Sequence, residues 1–150
     1  MQTALQTRAE ATNYAETSTY ADVTSLCDAL VRQYPHVKRT TLCRSTEGRD
    51  VPLLIVSKPG FTNGTQAHAN DDHLVVYIQA NIHAGEVEGK EAILMLVRDL
   101  LKADPTRILD AATLVIAPIY NADGNEVCLI VHIRMAHPAS ASATTEWDST

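Results

Sequence analysis

Leu74-Val75-Val76-Tyr77-Ile78-Gln79-Ala80-Asn81-Ile82-His83-Ala84-Gly85-Glu86 is the stretch on which the fold turns. Leu74 to Ile78 is a compact run of apolar β-formers that continues into Gln79-Ala80-Asn81-Ile82. A strand apolar on both faces is expected in the middle of a sheet covered on both sides. Helical periodicity then starts near Glu86 and runs to about Lys102, with Ile93, Leu94, Leu96, Val97, Leu100 and Leu101 giving a broad apolar face. Asp104-Pro105 stops that helix. Ala111 to Tyr120 reads as a second buried strand, closed by the turn Asn121-Ala122-Asp123-Gly124-Asn125.

Upstream, Thr17 or Ser18 can cap a helix with apolar groups at Tyr20, Val23, Leu26, Cys27, Leu30, Val31 and Tyr34, and Pro35 ends it. Lys38–Arg44 and Asp50–Ser57 are strand-like, and the turn chemistry between them predicts a hairpin. Residues 58–73 collect Gly, Asn, Asp and Pro and read as an exposed loop. The order helix, hairpin, strand, helix, strand, with fully apolar strands and a long crossover, predicts an α/β fold. Its expected form is a three-layer α/β/α sandwich with a mixed sheet. Residues 1–16 are polar and aperiodic and are expected to form a flexible tail; 17–126 make the domain. Residues 127–150 change character: 127–133 could add a strand, and the stretch after Pro138 has the composition of a disordered tail.

Composition narrows the function. The 150 residues are 45% hydrophobic and 20% charged, as in a globular protein, and carry a formal charge of −6. No basic run is present, which sets nucleic acid aside as a partner. No segment reaches the length of a membrane span, and the first sixteen residues lack the apolar stretch of a secretory signal, so the chain as written is expected to begin in the cytoplasm. Cys27, Cys43 and Cys128 are widely spaced and form no CxxC pair, which favours packing over a disulfide framework or a thiolate metal site.

His83 and Glu86 are the candidate metal ligands. Three residues apart at the end of a strand, where active groups of open α/β sheets gather, an imidazole and a carboxylate can converge on one point. That pair suits Zn²⁺, which at catalytic sites takes three protein ligands and an open water position. Gly85 lets the backbone turn between them. Other clusters carry less. Asn121-x-Asp123-x-Asn125 imitates the start of a calcium loop, but Gly124 and His132 fall at the wrong positions. His68, Asp71, Asp72 and His73 lie together in the polar loop and read as solvated. Arg49 and Asp50 are expected to pair or cap the hairpin.

The segment His83-Ala84-Gly85-Glu86-Val87-Glu88-Gly89-Lys90-Glu91-Ala92 resembles the zinc-binding segment of the M14 zinc carboxypeptidases, in which a His and a Glu at this spacing ligate the metal. Tyr20 through Tyr34-Pro35 resembles the family's first helix, and Ser45-Thr46-Glu47-Gly48-Arg49-Asp50-Val51 its hairpin. Ile119-Tyr120-Asn121-Ala122-Asp123-Gly124 resembles the end of a later strand. The resemblance implies a zinc-dependent metallocarboxypeptidase acting on a peptide or protein substrate near its carboxyl terminus. Zinc would be the cofactor, held by His83 and Glu86. The family's third zinc ligand, its substrate-binding Asn-Arg pair, its Tyr and its catalytic Glu lie further downstream. Residues 127–150 show no counterpart to them; His132 and His137 stand in no family-like context. The expectation is therefore an incomplete, amino-terminal part of the catalytic domain, truncated by an early stop, a shifted frame or a partial gene, with weak activity or none and no catalytic residue assigned. Two other readings stand beside it: a zinc amidohydrolase resembling aspartoacylase or succinylglutamate desuccinylase, and a non-catalytic binding module that retains the fold. The oligomeric state is left open.

Overall fold

The computed structural model describes residues 5–58 and 73–127. Helix α1 spans Arg8–Ala11 and α2 spans Tyr20–Gln33; strands β1 (Val37–Arg44) and β2 (Asp50–Val56) follow. Strand β3 (Leu74–Gln79), helix α3 (Glu88–Lys102), the short α4 (Thr106–Leu109) and strand β4 (Ala112–Ala117) complete the order, and residues 122–127 are helical. The strands form one mixed sheet in the order β1-β2-β4-β3. β1 and β2 are antiparallel, β2 and β4 antiparallel, and β3 and β4 parallel, the last pair running from Leu74↔Ala112 to Gln79↔Ala117. This is the expected α/β fold with a mixed sheet.

Local chemistry explains most boundaries. Thr19, rather than Thr17 or Ser18, caps α2: its side chain accepts from the Asp22 N–H while the Asp22 carboxylate accepts from the Thr19 N–H at 2.9 Å. The helix turns Val23, Leu26, Cys27 and Leu30 inward and stops before Pro35. In the hairpin, Ser45 N–H donates to Arg49 O at 2.8 Å and Gly48 takes φ +82, a left-handed value that glycine adopts without strain. α3 turns Ile93, Leu94, Val97 and Leu101 onto the sheet, where Leu54, Val56 and Ile116 complete one core with the α2 face. Burial raises the Cys27 thiol to about 12, so this cysteine packs as an unreactive apolar group.

Three larger features also differ from the sequence reading. The expected tail over 1–16 is in its described part built against α3. Thr7 and Glu10 form a capping box around α1, Leu5 and Ala9 are buried, and Arg98 donates to Leu5 O at 2.9 Å and pairs with the Glu10 carboxylate at 2.5 Å. A local polar pattern could not reveal partners ninety residues away. Second, β3 stops at Gln79 because Asn81 adopts φ +56, which no strand accommodates. Third, β3 is at the edge of the described sheet, with Leu74 64% exposed and Val75 and Tyr77 also exposed. An apolar run signals a strand that some neighbour covers, and that neighbour is not among the described residues. No described helix is long and apolar enough to cross a membrane.

Candidate metal centre

The loop 80–87 that joins β3 to α3 carries both sequence-predicted ligands. His83 Nδ1 stands 3.1 Å from Glu86 Oε1, and the two side chains are 76% and 63% exposed. Two donors about 2.0–2.1 Å from a tetrahedral Zn²⁺ sit roughly 3.3 Å apart, so the observed separation suits a shared metal with little movement. Neutral imidazole nitrogen and carboxylate oxygen are both zinc donors, so the donor chemistry fits as well. Glu86 precedes α3 instead of opening it: Glu86 N–H donates to His83 O at 3.1 Å in a tight turn, and the helix begins at Glu88. That turn, not a helical i, i+3 stack, brings the pair together.

The loop is held from both ends. Ala80 N–H donates to Ala117 O at 3.0 Å, extending the β3–β4 pairing, and Tyr120 N–H and Asn121 N–H donate to Ala80 O and Asn81 O at 2.9 and 3.0 Å. The Asn121 side chain donates to Ile82 O at 3.3 Å and accepts from Gly124 N–H at 2.9 Å. A Cβ at Gly124 would lie 2.7 Å from that side-chain amide, so the close approach requires glycine. Behind this turn, Asp123 accepts from Ser45 Oγ at 2.7 Å, from Arg49 Nη1 at 2.6 Å and from Glu47 N–H at 3.0 Å. Arg49 also pairs with Glu47. The calcium-loop imitation is thus a strut between the hairpin and the β4 exit, and Arg49 pairs with Glu47 and Asp123 and not with its neighbour Asp50.

Burial pushes the Asp123 carboxyl up, but the Glu47 N–H, the Ser45 hydroxyl and Arg49 together hold it below its ordinary 3.8. A depressed carboxylate contributes stability that is present above its unfolded value and lost as pH falls through the folded one. Amide exchange should therefore find Glu47 N–H protected at pH 5 and deprotected, after correction for intrinsic rates, well below pH 3.8. Asp123→Ala should remove that protection at both pH values; protection that survives the substitution would contradict the strut.

Among the described residues no group of three His, Cys, Asp or Glu side chains is placed to hold a metal. Of the polar-loop cluster, His68, Asp71 and Asp72 lie outside the described residues, while His73 is 3.0 Å from Thr113 Oγ1. His132, His137 and the rest of 128–150 also lie outside them. Glu91 is buried and committed: it accepts from Ser18 N–H at 2.6 Å, Thr17 Oγ1 at 2.7 Å and Ser18 Oγ at 3.0 Å. Beside it, fully buried Lys90 donates to Ser18 O and Asn125 Oδ1, both at 2.5 Å. The sequence reading missed this knot, although Lys90 falls on the same stripe as Leu94, Val97 and Leu101. A groove of about 390 Å³ opens between β3 and α3, lined by Ile78, Ala80, Ile82, Glu86, Ile93 and Leu96 among others.

A family model described as zinc carboxypeptidase, Peptidase M14, matches residues 23–137, more than half of the chain. Human carboxypeptidase D is 32% identical over 114 residues, which are 71% of this chain and 8% of that protein. Bovine thrombin-activatable fibrinolysis inhibitor, solved in complex with tick carboxypeptidase inhibitor, superposes with a TM-score of 0.60 at 21% identity, over 75% of this chain and 33% of that one. A metallo-carboxypeptidase from Burkholderia cenocepacia gives 0.54 at 27% identity, over 67% and 26%. The chain therefore spans about a third or less of the length of these relatives. With the matched residues covering the hairpin, the His83–Glu86 turn and the β4 exit, the chain belongs to the zinc carboxypeptidase family.

Proposed function

We propose that this chain carries the zinc half-site of a metallocarboxypeptidase, an enzyme that hydrolyses a peptide bond near a substrate's carboxyl terminus. The observation that carries the reading is the 3.1 Å approach of His83 Nδ1 to Glu86 Oε1 at the end of a sheet strand, in a chain of the zinc carboxypeptidase family. Bound zinc would polarise the scissile carbonyl and lower the pKa of a water. His83 supplies a neutral nitrogen donor and Glu86 a charged oxygen donor, and the exposure of both leaves their shared point open to substrate. The apolar groove beside Glu86 offers a surface for the substrate's side chains. Glu91 is not the general base, since Ser18 and Thr17 occupy its oxygens.

The substrate is a peptide or protein, and the 150-residue chain alone has little or no peptidase activity. The two candidate ligands among the described residues make a weak first shell, and catalytic zinc sites rely on three plus supporting partners. The test incubates the purified chain with zinc and peptides bearing a free carboxyl terminus, with N-acyl amino acids in parallel. No chelator-sensitive release of amino acid is expected from either. Chelator-sensitive release of the terminal residue from peptides would contradict the half-site reading by showing a complete one, and hydrolysis of the N-acyl amino acids alone would turn it to an amidohydrolase.

A further inference from the structure

We propose that Asn81 is the positioning residue of the half-site, an amide clamp that holds the two metal donors in register; this rests on the reading of His83 and Glu86 as zinc ligands. Asn81 is 3% exposed. Its side-chain Nδ2 lies 3.3 Å from three carbonyl oxygens, those of His83, Ala84 and Glu86. An amide has two hydrogens, so three acceptors at that distance share them. Two of the three belong to the ligand residues themselves. The turn is thereby wrapped around one NH₂ group, and this curvature is what carries the Glu86 carboxylate back to the imidazole.

The identity of the residue follows from two demands at one position. The backbone sits at φ +56, a left-handed value that among non-glycine residues asparagine tolerates well. The side chain must also donate, not accept. Asn81 Oδ1 is buried without a hydrogen-bond partner among the described residues, and rotating the amide would aim that oxygen at three carbonyls, so the donor side faces the turn. A buried acceptor left unmatched disfavours the fold, and the arrangement is retained where the NH₂ is needed. Glycine would satisfy the first demand and not the second; aspartate would keep the shape and reverse the polarity. The clamp is itself fixed from the segment after β4, because Asn121 N–H donates to Asn81 O at 3.0 Å.

The discriminating experiment titrates Zn²⁺ into the 150-residue chain and its Asn81→Gly and Asn81→Asp variants, following the His83 ring signals by NMR. It is run at a temperature where circular dichroism shows every chain studied to be folded. Loss of partners that orient metal ligands typically costs about 10–100-fold in affinity, and that weakening is expected for Asn81→Asp, with at least about 10-fold for Asn81→Gly. Because Asn81→Gly keeps the backbone conformation, it carries the decision should Asn81→Asp not fold. A role in folding alone would lower the melting temperature and leave zinc affinity of the folded chain unchanged; wild-type affinity in Asn81→Gly overturns the clamp while leaving the ligand pair standing. His83 signals that ignore zinc in the unsubstituted chain would overturn the ligand pair, and the clamp with it.

Discussion

Truncating Lys90 to alanine is expected to destabilise the chain by about 2–5 kcal/mol, because buried Asn125 Oδ1 loses this donor, Ser18 O keeps only the long 3.4 Å bond from the Asn125 amide, and the stem leaves a cavity. Lys90 is fully buried and its ammonium joins Ser18 O to Asn125 Oδ1. It thereby ties three segments together: the approach to α2, the first turn of α3 and the helical turn after β4. Asn125 extends the knot to Glu126, whose carboxylate accepts from Tyr20 N–H at 2.7 Å. Urea unfolding should show the midpoint falling with an unchanged slope. Lys90→Met retains most of the stem volume and removes the charge, so it isolates the polar part. A Met variant as stable as the unsubstituted chain would show that packing, not hydrogen bonding, accounts for the burial.

The second large effect is expected at Leu54, where alanine should cost about 2–5 kcal/mol. Leu54 is fully buried on the central strand β2, opposite Ile116 of β4, in the core shared with α2 and α3. Since domains of this size are stable by about 5–15 kcal/mol in total, that loss is a large share. Thermal melting measures it directly. Its size also reports on packing around the site: a loss under about 1 kcal/mol would mean that the sheet is loose enough to collapse around the gap, and a loose sheet could not hold the β3–β4 ends that frame His83.

What could be read from the sequence was what depends on near neighbours. The hairpin follows from Ser45 to Arg49, α2 from its apolar stripe and Pro35, and the approach of His83 to Glu86 from a three-residue spacing at a strand end. What depends on distant contacts stayed hidden. Thr17 and Ser18 look like helix caps, yet they serve Glu91 across 73 and 74 residues. The 5–16 segment looks featureless until Arg98 is placed beside it. β3 has the composition of an interior strand and lies at an edge of the described sheet. Asn81 was invisible as a functional residue because neither its left-handed backbone nor its three carbonyl neighbours has a signature in a single sequence. Lys90 was the one hidden residue with a usable signal, a cation on an apolar stripe.

The same geometry makes a claim about a single atom. Nδ1, not Nε2, of His83 faces Glu86, so a metal shared by the pair must be taken by Nδ1. Long-range ¹H–¹⁵N correlation of the histidine rings during a Zn²⁺ titration, with the Glu86 carboxylate carbon followed in parallel, is the most direct test. Metal capture at His83 Nδ1 together with a shift of the Glu86 carboxylate is the predicted result. Zinc held by other histidines while His83 and Glu86 stay unmoved, or capture through His83 Nε2 with Glu86 silent, would contradict the half-site.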